Sequence, residues 1–410
     1  MKIQTPQLPK GTRDFYPADM RVQNHIFSIW RQSALKFGYE EYEGPAFEHL
    51  ELYTGKSGEE IVAQLYNFTD KGGRNLALRP EMTPTLARMA IQKGNELKKP
   101  FKWFSIPRLF RYERSQKGRL REFFQLNLDI IGTESISAEA DLISAIASML
   151  FDFGLNENDF AIGVSSRRLL AAFPSHIYPI LDKRLKMPAE DFEKELLNAG
   201  LSEEEIKNLN DFMSCSSIEE LKKFGDVSEL ETLFDLLKIS GFENCVKLDL
   251  SIVRGLAYYT GIVFEVFDKA KNMRAIAGGG RYDNLTETLG GQKVPCVGFG
   301  MGDVVLANLL AEKNLLSQKR DNLPLFVASF SGDMRVLFKT ATEFRKKGIS
   351  CSHSLNPVKF GKQLEQANAA GAKCVIFADG EKSRDGVWEY KILASGEQGV
   401  GSLEKILEKL

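Results

Sequence analysis

The stretch from Phe110 to Gly132, FRYERSQKGRLREFFQLNLDIIG, limits what this chain can fold into more than any other. Its first twelve residues carry Arg111, Arg114, Lys117, Arg119 and Arg121 against the single acid Glu113. From Glu122 the cations stop. Gln125, Asn127 and Asp129 then alternate with Phe124, Leu126, Leu128 and Ile130. That two-residue period predicts a strand with one apolar and one polar face. A basic loop joined to such a strand suits a nucleotide. The loop supplies charge for phosphate, and the strand supplies fixed hydrogen-bonding groups.

At 410 residues the chain exceeds one compact core, so two or three domains are expected. Its 54 basic and 55 acidic residues exclude a polyanion-coating protein but leave room for a local basic patch on nucleic acid. Five cysteines (215, 245, 296, 351 and 374) form no C-x-x-C pair, which points to reduced thiols in a cytoplasmic protein. With only four histidines (25, 49, 176 and 353), no His/Cys zinc cluster is expected. The leader MKIQTPQLPKGTRD lacks a signal-peptide core, and no apolar run reaches membrane-spanning length.

Taken in order, apolar spacing predicts a helix from Pro17 to Phe37, ended by Gly38. It packs either on its own domain or across a subunit interface. A hairpin with a glycine turn spans 65–78, and Arg79-Pro80-Glu81-Met82-Thr83-Pro84 leads into a helix over 85–93. Glu81 at that junction is either a capping residue or a ligand group on a rigid mount. A strand over 101–106 precedes the Phe110 hairpin. A helix capped by Ser137 follows it, then a strand over 160–164. Residues 171–246 are charged, amphipathic and helical, an inserted subdomain with solvated faces. Strand-like sequence resumes at Val246 and runs through SIVRGLAYYTGIVFEVFD. A glycine turn is expected at Gly278–Asp283, a strand at Val297–Met301, a helix at Val304–Glu312 and a linker at 313–323. Residues 324–410 predict a small α/β domain of four strands in a mostly parallel sheet.

Gly298-Phe299-Gly300-Met301-Gly302 is neither a dinucleotide fingerprint nor a phosphate loop. The third glycine falls on Asp303, and no Gly-Lys-Ser/Thr follows. A strand that lets a flat ligand or another backbone approach fits better. Arg254 lies in an otherwise apolar run, where it meets either an anion or a buried acid. With Arg111, Glu81, Gln125, Asp129 and Tyr259 it suits a ligand bearing phosphate and a cationic or amide-like group. No Ser-His-Asp spacing or activated thiol supports covalent catalysis.

Four segments carry a resemblance: Arg79 to Thr83, Phe110 to Arg119, Arg254-Gly255-Leu256-Ala257-Tyr258-Tyr259-Thr260, and Gly278 to Asp283. In order and spacing they resemble the class II aminoacyl-tRNA synthetase core, and within it the histidyl-tRNA synthetase family. The resemblance implies an α+β catalytic domain with an antiparallel sheet of six or seven strands, the helical insertion, and a C-terminal α/β anticodon-binding domain. It implies L-histidine, ATP with Mg²⁺ and a histidine tRNA as ligands, and a homodimer built around the first helix. By the same resemblance, Glu81 and Thr83 hold the amino group of histidine. Gln125, Asp129, Tyr258, Tyr259 and Tyr282 form the rest of its pocket. Arg111 grips the α-phosphate, Glu113 lies near adenine, Arg119 and Arg121 serve ATP, and Arg254 stabilises the pentavalent phosphorus. Arg114, Lys117 and Arg119 grip the tRNA acceptor end.

The chain departs from the family pattern in three places. Ala257 stands where Asp is usual, and Asp129 where Glu is usual. The third class motif usually ends in Glu-Arg, its arginine meeting the γ-phosphate, but Val304 and Val305 occupy those positions. Arg119, Arg121 and Arg281 are candidate substitutes. Two other readings stand beside the enzyme: a regulatory paralogue, which usually lacks the tail domain, and a tRNA-binding module without chemistry.

Overall fold

The alternating run becomes the strand Glu122–Ile131, third along the main sheet of the first of two compact units, residues 1–317 and 318–410. The structure is a computed structural model and describes residues 6–54, 62–94, 96–113, 116, 118–184, 187–254, 258–270, 272–316, 323–384 and 386–410. The strand order is Glu40–Glu41, Phe101–Ser105, Glu122–Ile131, Cys296–Gly302, Ala277–Arg281, Ile262–Asp268, Phe160–Ser166 and Val246–Leu248. The six inner strands are antiparallel, and each outer strand joins in parallel. Arg108–Phe110 pairs with the start of Glu122–Ile131 and closes the base of the basic loop.

Register assigns the two faces. Directly paired residues share a face, and the face changes at every step. Leu126, Leu128 and Ile130 therefore lie with Val297, Phe299 and Met301, and with Phe264 and Val266. This face is covered by the helices Pro17–Lys36 and Ser137–Asp152. Trp30 is fully buried there, with its indole Nε1 3.3 Å from Met301 Sδ. The first helix thus packs its apolar stripe of Ile26, Trp30 and Ala34 on its own unit. Gln125, Asn127 and Asp129 face the other way, with Gly298, Gly300, Gly278, Gly280 and Glu265.

Local sequence decides several of the remaining elements. Ser202 and Glu205 form a reciprocal capping box that starts the helix Glu203–Met213. With Ala189–Asn198 and Ser228–Ile239 it buries Phe192, Leu196, Leu209, Phe212 and Leu233 in the same apolar core as the sheet. Ser137 is the first residue of its helix rather than the cap, a position that Ile136 holds without a side-chain bond. Ala277–Arg281 is a fully buried strand rather than the expected glycine turn, because antiparallel neighbours pair with it on both sides. Arg254 lies outside any strand, with φ at 62°.

The second unit has five strands, in the order Cys351–His353, Leu325–Ala328, Cys374–Phe377, Val387–Ile392 and Gln398–Ser402. The first three run parallel and the last two antiparallel, so the sheet is mixed rather than mostly parallel. The additional strand Gln398–Ser402 has two glycines and little apolar content, which hid it in the sequence. No helix among the described residues is long and apolar enough to cross a membrane.

Candidate active site

The polar face of the sheet is floored by glycine. A Cβ on Gly298 would overlap the Asp129 carboxylate, and one on Gly278 would overlap the Arg254 guanidinium. A Cβ on Gly300 would lie 2.7 Å from Gln125 Cδ. Three polar side chains therefore lie flat on the backbone of adjacent strands, a position open only where the floor has no side chain.

Asp129 is 4% exposed and accepts a 2.5 Å hydrogen bond from the Tyr282 hydroxyl on Oδ1. Burial, partly offset by that hydroxyl, pushes the Asp129 carboxyl up to about 7. Tyr258 lies with its ring centroid 5.0 Å from that of Tyr259 and 5.8 Å from that of Tyr282. Its hydroxyl donates to Glu81 Oε2 at 3.0 Å and also bonds the side chain of Thr83. Burial, then the Glu81 charge, raises the Tyr258 phenol well above its ordinary range, so it serves as a neutral donor. Glu81 lies two residues before the helix Thr83–Lys93, whose cap position Met82 holds, and turns its carboxylate toward Tyr258. Glu81, Thr83, Tyr258, Tyr259, Tyr282 and Asp129 thus form one continuous aromatic and acidic cluster.

Arg254 stands on Gly278 beside this cluster. It pairs with Glu265, and its guanidinium lies 5.9 Å from the Tyr259 ring centroid. Burial opposes its charge, but Tyr259 and Glu265 outweigh burial and hold the group protonated well above its usual range. Both open readings of Arg254 have a physical footing here. It has its acid, yet its side chain keeps 19% exposure.

The described part of the basic loop meets the Glu81 junction through Arg111. Arg111 donates from Nε to Pro80 O at 2.8 Å and lies 5.5 Å from the Phe123 ring centroid. Glu113 sits between two arginines, 2.5 Å from Arg119 Nη1 and 3.9 Å from Arg111 Nη1. Arg121 donates to Glu113 O and stacks on Tyr112, with its stem against Gly11. Arg114 and Lys117, and the departure at Ala257, lie outside the described residues.

Arg281 is removed as a candidate for the missing motif arginine. It falls on the helix-covered face, 3% exposed, and both of its outer nitrogens and its Nε are taken up by Glu139, Asp283 and backbone carbonyls. The Gly-Asp ending also has a structural role. Asp303 is buried, accepts from Phe124 N at 3.0 Å, and pairs with Arg13 at 2.7 Å. It ties the N-terminal lead to the hairpin.

Sequence reading singled out neither Glu265 nor Arg274. Asn127 shares the polar face between Gln125 and Asp129. Glu265 was legible as a lone acid in the apolar strand Ile262–Asp268. Arg274 gave no local signal, because its neighbours Gln116 and Gly118 come from the basic loop.

Residues 11–303 match the family model described as histidyl-tRNA synthetase, and residues 326–410 the one described as anticodon binding domain. The chain is 40% identical to the chloroplastic/mitochondrial histidine–tRNA ligase of Arabidopsis thaliana, over 95% of this chain and 84% of that one. It is 38% identical to the histidine–tRNA ligase of Leptospira biflexa, over 98% and 96% of the two chains. The crystal structure of histidyl-tRNA synthetase from Nostoc sp. PCC 7120 shares the fold, with a TM-score of 0.79 at 24% identity over 100% of both chains.

Proposed function

The chain belongs to the histidyl-tRNA synthetase family and is a histidine–tRNA ligase, and from that premise we propose which of its residues perform the reaction. The enzyme uses ATP to activate L-histidine as histidyl-adenylate, then transfers histidine to the 3′ end of histidine tRNA. The regulatory-paralogue reading has no support, since the relatives named as ligases match nearly the whole chain and the tail domain is retained.

In our assignment Glu81 and Thr83 take the amino group of histidine. Gln125 contacts the amino acid, and Asp129, Tyr258, Tyr259 and Tyr282 enclose its imidazole. Arg111 holds the α-phosphate, Glu113 lies near adenine, and Arg119 and Arg121 serve the rest of ATP, which enters as its magnesium complex. A carboxylate oxygen of histidine attacks the α-phosphorus in line. The bond to the bridging α–β oxygen breaks, and pyrophosphate leaves with the electron pair. Arg254 neutralises charge on the five-coordinate phosphorus. The tRNA 3′-terminal hydroxyl then attacks the adenylate carbonyl, and AMP leaves. Positioning and charge neutralisation suffice, with no protein nucleophile. Arg114, Lys117 and Arg119 hold acceptor-end phosphates.

One observation carries this assignment: Asp129 and Arg254 lie over the glycines of adjacent strands, 298 and 278, on one face. The acid that suits an imidazole and the cation that suits a phosphate are thereby held side by side. We further propose residues 1–170 and 247–312 as the catalytic core, 171–246 as its insertion, 313–323 as a linker and 324–410 as the anticodon-binding domain. The same premise supports a homodimer formed around the helix Pro17–Lys36. The five free cysteines suit the cytoplasm. The test is histidine-dependent exchange of labelled pyrophosphate into ATP. We expect exchange that saturates with histidine; none at saturating histidine would remove the assignment.

A further inference from the structure

ATP brings more negative charge to this site than Arg111 and Arg254 can meet, and the position where a motif arginine is usual holds an apolar valine. Val305 is 8% exposed at the start of the helix Asp303–Glu312. A Cβ on Gly118, in the basic loop, would touch Val305 Cγ2 at 3.4 Å and Arg274 Cδ at 3.7 Å. Arg274 and Val305 therefore both border Gly118, although they come from different parts of the chain. It is exposed, and its Nη2 donates to the neutral Gln116 Oε1 at 2.5 Å. Gln116 in turn bridges to Arg119, which pairs with Glu113. Among the described residues Arg274 forms no ion pair, whereas Arg254, Arg281 and Arg119 each hold a carboxylate.

We propose that Arg274 is the cation that meets the β- and γ-phosphates of ATP and the departing pyrophosphate, in the place an arginine at position 305 would serve. This rests on the ligase reading and on the placement of Arg111 and Glu113 toward the α-phosphate and adenine. Arg274 and Arg119 then stand together at the outer end of the triphosphate. As the α-phosphorus–oxygen bond breaks, the electron pair and its charge move onto pyrophosphate, and a guanidinium there stabilises the leaving group.

A phosphate contact at the outer end acts on ATP and pyrophosphate but not on the adenylate, which keeps only the α-phosphate. In pyrophosphate exchange, Arg274→Ala is expected to raise KM for both ATP and pyrophosphate about 10- to 100-fold, the effect of a lost bond to a charged partner. KM for histidine should be unchanged, as should the single-turnover rate of histidine transfer from preformed histidyl-adenylate to saturating tRNA. Unchanged KM values for ATP and pyrophosphate would overturn the proposal. So would a loss that falls equally on adenylate transfer, since that marks a merely structural role for the loop contact. Absence of histidine-dependent exchange in the unmodified enzyme would instead remove the underlying reading. Arg274 is exposed, so a thermal melt coinciding with that of the unmodified protein is expected, and it separates these outcomes from misfolding.

Discussion

Asp129→Asn should gain stability relative to the unmodified ligand-free protein as pH rises from 5 to 8, while crippling its use of histidine. The exchange keeps the shape of the side chain, and an amide oxygen still accepts from the Tyr282 hydroxyl. What it removes is a buried charge. The Asp129 carboxyl rises from its ordinary 3.8 to about 7 on folding, so the folded state binds its proton more tightly than the unfolded state. The stability this confers is fully present below pH 3.8 and is lost as pH rises toward 7. At about 1.4 kcal/mol per tenfold in acidity, the whole loss is on the order of 4 kcal/mol, of which about 3 falls between pH 5 and pH 8. The asparagine variant does not titrate and escapes that loss. Any constant penalty for burying its amide cancels when two pH values are compared. Urea unfolding of the unit that contains Trp30 and Trp103, followed by fluorescence at pH 5 and pH 8, measures the difference. The variant should gain roughly 3 kcal/mol relative to the unmodified protein over that interval. A gap between the two proteins that does not change with pH would show that Asp129 is not the buried, proton-binding carboxyl described here. In the exchange assay at pH 8, the same variant should raise KM for histidine about 10- to 100-fold and leave KM for ATP in place. Equal losses for both ligands would contradict its assignment to the imidazole.

Two further perturbations probe the other arginines. Arg254→Ala should slow adenylate formation about 100- to 1,000-fold with the fold retained, and near-normal exchange would show that the α-phosphate lies elsewhere. Arg281→Leu should instead destabilise the protein by about 3–5 kcal/mol, because it strands the fully buried Glu139, and Glu139→Leu in the same chain should restore most of that loss. A melting temperature untouched by the single change would refute the structural role assigned to Arg281.

Much of the site was already legible along the chain. The alternation of Gln125, Asn127 and Asp129 placed three polar groups on one strand face, because the pleat has a period of two whatever surrounds it. The prolines flanking Glu81 and the odd placement of Arg254 were equally local signals. Sequence reading failed where a residue's role depended on its partners. Gly278–Gly280 resembles a turn until strands on both sides pair with it. Arg281 looked like a free cation, but one step of the pleat turns it from the ligand face to the helix-covered face and onto Glu139. Arg274 reaches the basic loop across 158 positions of sequence, a contact that no periodicity encodes. By itself, then, the sequence determined the chemistry available to this protein: a basic loop, a strand with polar teeth and an arginine beside two tyrosines. That Arg281 is bound into the core on Glu139, while Arg254 lies over the glycines of the polar face, was decided only by the tertiary structure, since side-chain direction alternates along a strand while partners come from distant parts of the chain.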